Sequence, residues 1–194
     1  MPHREMTTNR LEAFSDGVIA IIITIMVLEL RAPAEPTLPA LLKVSPVFLS
    51  YALSFLVAAI MWVNHHHLIH AIHSVTARLL WSNLYLLFWM SLIPFVTDYA
   101  GKNYHQPMAV ALYGFDLFMC STGFYLLRLE LVRQSGRDTA MVEYHESIQR
   151  KNALSGALYL LSVPLAYVSV YAAFLIFALI PATYFLPEKK LAGE

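Results

Sequence analysis

Charge is scarce in this sequence. Only 13% of its 194 residues are Asp, Glu, Lys or Arg, against about 25% in an ordinary soluble domain. With 58% hydrophobic residues, the chain cannot clothe a water-facing surface, so its main solvent must be lipid. Net charge is absent as well: 13 basic residues balance 13 acidic ones. No global field therefore draws nucleic acid, and none is expected as a partner. A single cysteine, Cys120, excludes an intrachain disulfide. There is no glycine-rich phosphate loop and no G-x-S-x-G nucleophile elbow, so the usual marks of nucleotide and acyl-transfer enzymes are missing and no enzyme is expected. A T-V-G-Y-G-like string, which would build an ion filter from backbone carbonyls, is also missing. The first hydrophobic segment lacks a basic stub before it and an Ala-x-Ala site after it. It is expected to be retained and not removed as a signal peptide.

What the chain does have is long apolar runs. A helix needs about 20 apolar residues to cross the hydrocarbon core. Candidate spans cover roughly 11–30, 46–64, 79–97 and 107–127, followed by 34 uncharged residues at 153–186. One tilted helix is too short for that last run. Pro164, with Val168 and Ser169 beyond it, predicts a break into two helices, 153–168 and 170–186. The expected architecture is an all-α integral membrane protein, residues 1–194 forming a single domain of six transmembrane helices. The first loop, 31–45, carries Pro33, Pro36 and Pro39 and reads as an extended connector. The segment 128–151 reads as helical extensions with a turn at Gly136.

Lys and Arg placement sets the orientation. With six spans and both termini cytoplasmic, the inner side holds Arg4, Arg10, Arg78, Arg128, Arg133, Arg137, Arg150, Lys151, Lys189 and Lys190. The outer side holds Arg31, Lys43 and Lys102, so the split is ten against three. Five spans would weaken it to eight against five. A multi-pass protein of the cell membrane is expected.

The first helix carries the clearest pattern. Arg10, Phe14, Gly17, Ile21, Thr24 and Leu28 recur at alternating spacings of four and three and share one face, with Ile25 on its border. Apolar stripes are common in membrane helices, but this helix also bears a carboxylate. Asp16 stands about 200° around from Phe14 and is expected to point into neighbouring helices. A carboxylate within a span is costly and ordinarily has a partner or a function. Further on, Asn64 is followed by His65, His66, His67, His70 and His73. His66, His70 and His73 share a helical face, and imidazole suits zinc, copper or nickel. The cluster itself contains no carboxylate or cysteine, however, so no metal site is expected. Trp81 and Asn83 open the third span at the depth of the histidines and Asp16, which predicts a polar network there. Asp116 is the deepest charge in the chain, and Tyr113 and Thr122 are its candidate partners.

The run from Arg10 to Gly17, R-L-E-A-F-S-D-G, resembles the R-x-x-x-F-S-D signature of potassium channels related to lysosomal transmembrane protein 175. Trp62 with Asn64–His67, the string Leu79–Leu84 and the later Leu92–Phe95 are similar to that family's second and third helices. The resemblance is strongest in the first three spans and covers a single six-helix repeat. It implies a homotetramer in which helix one lines a central pore, a potassium-selective cation channel with a hydrophobic constriction in place of a carbonyl filter. The constriction falls on Ile21, with further layers at Thr24, Ile25 and Leu28. The polar network carries over to Arg10, Phe14, Ser15, Asp16, Trp81 and Asn83, with one histidine from among His65, His66 and His67. No cofactor is implied beyond permeant potassium ions, and the partners are the bilayer and other copies of the chain. A closed ring of equivalent helices would supply the central water path that one six-helix unit lacks. Two other classes remain open. One is a proton-coupled secondary transporter using Asp16 and Asp116, although the internal repeats of such carriers are missing. The other is a metal-binding membrane protein built on the histidine cluster.

Overall fold

The computed structural model describes residues 7–72, 74–135 and 139–184, with side chains over 7–72, 74–134 and 149–184. Arg4, His73, Gly136, Arg137, Lys189 and Lys190 lie outside the described residues, as does the end of the 170–186 span. Every regular element described is helical. The order is α1 (Thr8–Leu28), α2 (Leu38–Lys43), α3 (Ser45–His70), α4 (Ala77–Lys102), α5 (Pro107–Ser135), α6 (Thr139–Val168) and α7 (Val170–Thr183). The helices α1, α3, α4 and residues 107–134 of α5 are long and apolar enough to cross a membrane.

One segment differs from the sequence expectation, for a local reason. The 31–45 loop is not wholly extended, because Thr37 caps a short helix. Its Oγ1 accepts a hydrogen bond from the Ala40 amide at 3.4 Å, and Pro39 sits in the first turn of α2, where its missing N–H costs nothing. The helices α5 and α6 run past the lipid-length spans, to Ser135 and back to Thr139. Pro164 lies inside α6, and the break falls five residues later at Ser169. There Ser169 leaves helical geometry and its Oγ accepts from the Ala172 amide at 3.3 Å, capping α7.

The core forms around α5, which packs on α3, α4, α6 and α7. Its Val110, Tyr113, Leu117, Cys120, Phe124, Leu127 and Leu131 are all buried. They recur at spacings of three and four, the stripe of a helix enclosed by neighbours. Small residues admit those neighbours: a Cβ on Gly123 would stand 2.9 Å from the Leu86 Cα of α4, and one on Gly114 would stand 3.1 Å from the Phe177 ring of α7. Such close approaches are how helices associate where lipid supplies no hydrophobic drive. A buried hydroxyl chain adds a polar tie. Thr97 Oγ1 donates to Ser54 Oγ at 2.7 Å, and Ser54 Oγ shares a 2.9 Å bond with the Tyr113 hydroxyl, so α3, α4 and α5 are joined at one level.

The helix α1 lies at the edge of this core, to which it adds Leu11, Ile19, Ile22 and Met26. Among the described residues it packs on α3 and α4 alone. Its N-terminal half meets the end of α3 and the start of α4, and at the far end Glu29 lies 3.9 Å from Lys102 of α4. It therefore runs alongside α4 and antiparallel to α3.

Candidate functional site: the first helix and its polar anchor

The two long faces of α1 have opposite environments. Leu11, Ser15, Ile19, Ile22 and Met26 recur at spacings of four, four, three and four, and all are buried against α3 and α4. On the other side Arg10, Phe14, Gly17, Ile21, Thr24, Ile25 and Leu28 are all exposed in the single chain. Ile21, at 58% exposure, is among the most open isoleucines of the bundle. Thr24 does not make this face strongly polar. Its Oγ1 turns back towards the Ala20 and Ile21 carbonyls, at 3.0 and 2.9 Å, so its hydrogen is committed to the helix and only lone pairs remain outward. Beside this face an open groove of about 420 Å³ runs between α1 and α4, lined by Ile21, Ile25, Pro94 and Phe95 among others.

Three sets of polar contacts hold α1 at its N-terminal end. The first is buried: Asn83 Nδ2 donates to Ser15 Oγ at 2.9 Å, Asn83 Oδ1 lies 2.8 Å from His65 Nε2, and Ser15 Oγ donates to the Leu11 carbonyl at 2.9 Å. With its amide nitrogen on Ser15, Asn83 presents only an oxygen to His65, so His65 must carry its proton on Nε2. The second is a single bond, from Trp62 Nε1 to Asp16 Oδ1 at 3.0 Å. The third joins His66 Nδ1 to Glu12 Oε1 at 2.9 Å, with His70 Nε2 3.2 Å from the same oxygen. The last two sets follow from spacing. Glu12 and Asp16 are four apart on α1, while Trp62, His66 and His70 are four apart on α3, so two antiparallel stripes meet in register.

The expected network residues are thus only partly brought together. Ser15 and Asn83 join directly, and Asp16 does point away from the exposed stripe. Its tryptophan partner is Trp62 and not Trp81, which is 73% exposed on α4. The histidine on Asn83 is His65; His66 faces Glu12, and His67 is exposed. Arg10 and Phe14 stand at the exposed edge of α1. The sequence alone leaves the choice among the three histidines open; the signal that separates His65 is the face of α3 it shares with Ser54, Met61 and Leu68. Neither expected partner of Asp116 serves it. The Tyr113 hydroxyl is engaged with Ser54 and Thr122 Oγ1 with the Phe118 carbonyl, and both Asp116 oxygens are buried without a hydrogen bond.

Known proteins resemble this chain in sequence and fold. A family described as the endosomal/lysosomal potassium channel TMEM175 matches residues 10–94, from Arg10 of α1 to Pro94 within α4. A potassium channel of Chryseobacterium sp. (strain P1-3) is 38% identical over 186 residues, covering 96% of each chain. A potassium channel of Streptomyces collinus is 31% identical over 172 residues, covering 84% of each. Among solved structures, a potassium-selective TMEM175 homolog from Chamaesiphon minutus superposes with a TM-score of 0.82 at 26% identity, covering 92% of this chain and 96% of that one. With its apolar helices and these relatives spanning nearly its whole length, the chain is a multi-pass membrane protein and belongs to the TMEM175 family.

Proposed function

We propose that the chain is a potassium-selective cation channel, assembled as a homotetramer around the exposed face of α1. The observation that carries this reading is the two-sidedness of α1. One face is anchored in the bundle, and the other, from Phe14 through Ile21 to Leu28, is uncovered along its length. Lipid could cover such a face, but the potassium-channel relatives and the resemblance of the signature favour a ring of α1 helices about a common axis. Ile21 is then the constriction, with Thr24, Ile25 and Leu28 as successive layers. An isoleucine ring offers a cation no ligand. It acts through width and the cost of stripping water, and potassium sheds water more readily than sodium. Thr24 is the one layer whose lone pairs can meet a partly dehydrated ion. The contacts of Ser15, Asp16 and Glu12 hold α1 at a fixed rotation, so that Ile21 faces the axis.

The remaining topology belongs to the same reading. The four long apolar helices, the uncharged part of α6 and α7 make six spans, and the ten-against-three split of Lys and Arg puts both termini in the cytoplasm. The decisive experiment is ion flux into liposomes holding the purified protein, driven by potassium or by sodium gradients. Conductive potassium flux that exceeds sodium flux is expected. Equal rates for both ions, or no flux above empty liposomes, would overturn the proposal.

A further inference from the structure

We propose that Glu12, His66 and His70 form a binding site for a divalent transition-metal cation of the zinc class, tying α1 to α3. The histidine cluster carries no carboxylate in its own stretch of sequence, and the fold supplies one from another helix. One donor atom from each of the three residues lies within 4.8 Å of the other two. His66 Nδ1 and His70 Nε2 both address Glu12 Oε1, at 2.9 and 3.2 Å. Bonds to zinc of about 2.0–2.1 Å set neighbouring tetrahedral ligands about 3.3 Å apart, so two of the three separations already approach what an ion would impose. The two histidines are one helical turn apart with ring centroids at 4.3 Å and nearly perpendicular planes.

The donor set decides the class of ion. Two imidazoles and one carboxylate hold zinc in sites that keep a fourth position open for water. Magnesium and calcium prefer all-oxygen sets, and potassium gains little from imidazole nitrogen. Access is open: the His66 and His70 side chains are 42% and 60% exposed, while Glu12 is 17% exposed. An ion can therefore enter from water without parting the bundle, and a mostly enclosed carboxylate meets it. Bound there, the ion would add a coordinate link between the helix proposed to line the pore and the helix that anchors it.

Isothermal titration of tag-free, detergent-purified protein with zinc chloride tests the site without any flux measurement, so its outcome is independent of the channel reading. One saturable site per chain is expected. Glu12→Gln keeps the shape and an amide oxygen, and it should lower affinity at least tenfold, as should His70→Ala. His105→Ala changes a histidine at the opposite end of the bundle, where it meets the Tyr171 hydroxyl, and should leave the isotherm unchanged. Gel filtration and circular dichroism confirm the folded state of each variant. Absence of saturable binding to the wild type would overturn the proposal. Wild-type affinity in both Glu12→Gln and His70→Ala, or a loss in His105→Ala equal to theirs, would overturn it too.

Discussion

At the scale of single residues, Asn83 is the joint on which α1 turns. Its side chain is fully buried and uses both ends of its amide, on Ser15 of α1 and His65 of α3. Replacing it with leucine keeps the volume and strands two buried polar groups. Each group left unpaired costs about 1–3 kcal/mol, although such bonds within membrane proteins average nearer 0.6 kcal/mol. Asn83→Leu is therefore expected to lower the thermal midpoint in detergent clearly, whereas Trp81→Leu, on an exposed side chain of the same helix, should leave it within a degree or two. Equal midpoints for the two variants would remove Asn83 from the anchor. Some of this site could be read from the sequence. Ser15 and Asn83 fall on inner faces by periodicity, and His65 falls on the same face as Met61 and Leu68. The pairing of Asp16 with Trp62 and of Glu12 with His66 was not legible, because it depends on the register between two antiparallel helices. Nothing within either helix sets that register. A tryptophan near a helix end also reads equally well as an interface anchor, which hid the role of Trp62.

At the scale of elements, helix existence was legible and helix extent was not. Long uncharged runs announce where lipid begins and ends, which is why α1, α3 and α4 each lie over an apolar segment. They do not announce where a helix stops in water. The helix α3 runs past residue 64 through its histidines to His70, and α4 runs past residue 97 to Lys102. Pro164 lies within α6, since a proline within a membrane helix is tolerated when neighbours take up the freed carbonyl. Close packing was equally hidden, and Gly123 shows why. Its place on α5 reads as a small residue in a membrane helix, and only the folded bundle reveals the Leu86 backbone 2.9 Å from where a Cβ would stand. Because the obstacle is backbone, α4 and α5 would have to separate. Gly123→Ala is expected to destabilise the bundle by about 1–3 kcal/mol, read as a lower denaturation midpoint. Gly17→Ala has nothing within 4 Å of the new Cβ and should leave stability unchanged or slightly raised, since alanine favours helix over glycine. If the two alanine variants melted together, the close α4–α5 contact would not be a source of stability.

At the scale of the whole molecule, the issue is which face of α1 meets the ion. The single chain narrows the choice to two. The anchored face is committed to α3 and α4, where Ile19, Ile22 and Met26 pack into the core and Ile23 rests partly against it. The uncovered face offers Ile21, which stands about 200° around the helix from Ile23. The two positions share a residue type and nearly the same depth, so one substitution at each separates pore effects from general damage. Asparagine at a hydrophobic constriction gives the ion a ligand and lets water remain with it. Ile21→Asn is therefore expected to raise total cation flux and to pull the potassium-to-sodium permeability ratio towards one. At Ile23 the same residue places an amide against the core. It should cost stability and lower the amount of assembled protein, yet the channels that do assemble should keep the wild-type ratio. Reversal potentials under bi-ionic conditions in planar bilayers measure that ratio independently of channel number, so poor expression of either variant does not blur the comparison. Wild-type selectivity in Ile21→Asn together with lost selectivity in Ile23→Asn would place the pore on the other face. The anchor of Ser15, Asp16 and Glu12 would then have to hold α1 at a rotation opposite to the one found here, which its buried contacts with Asn83 do not permit within this bundle.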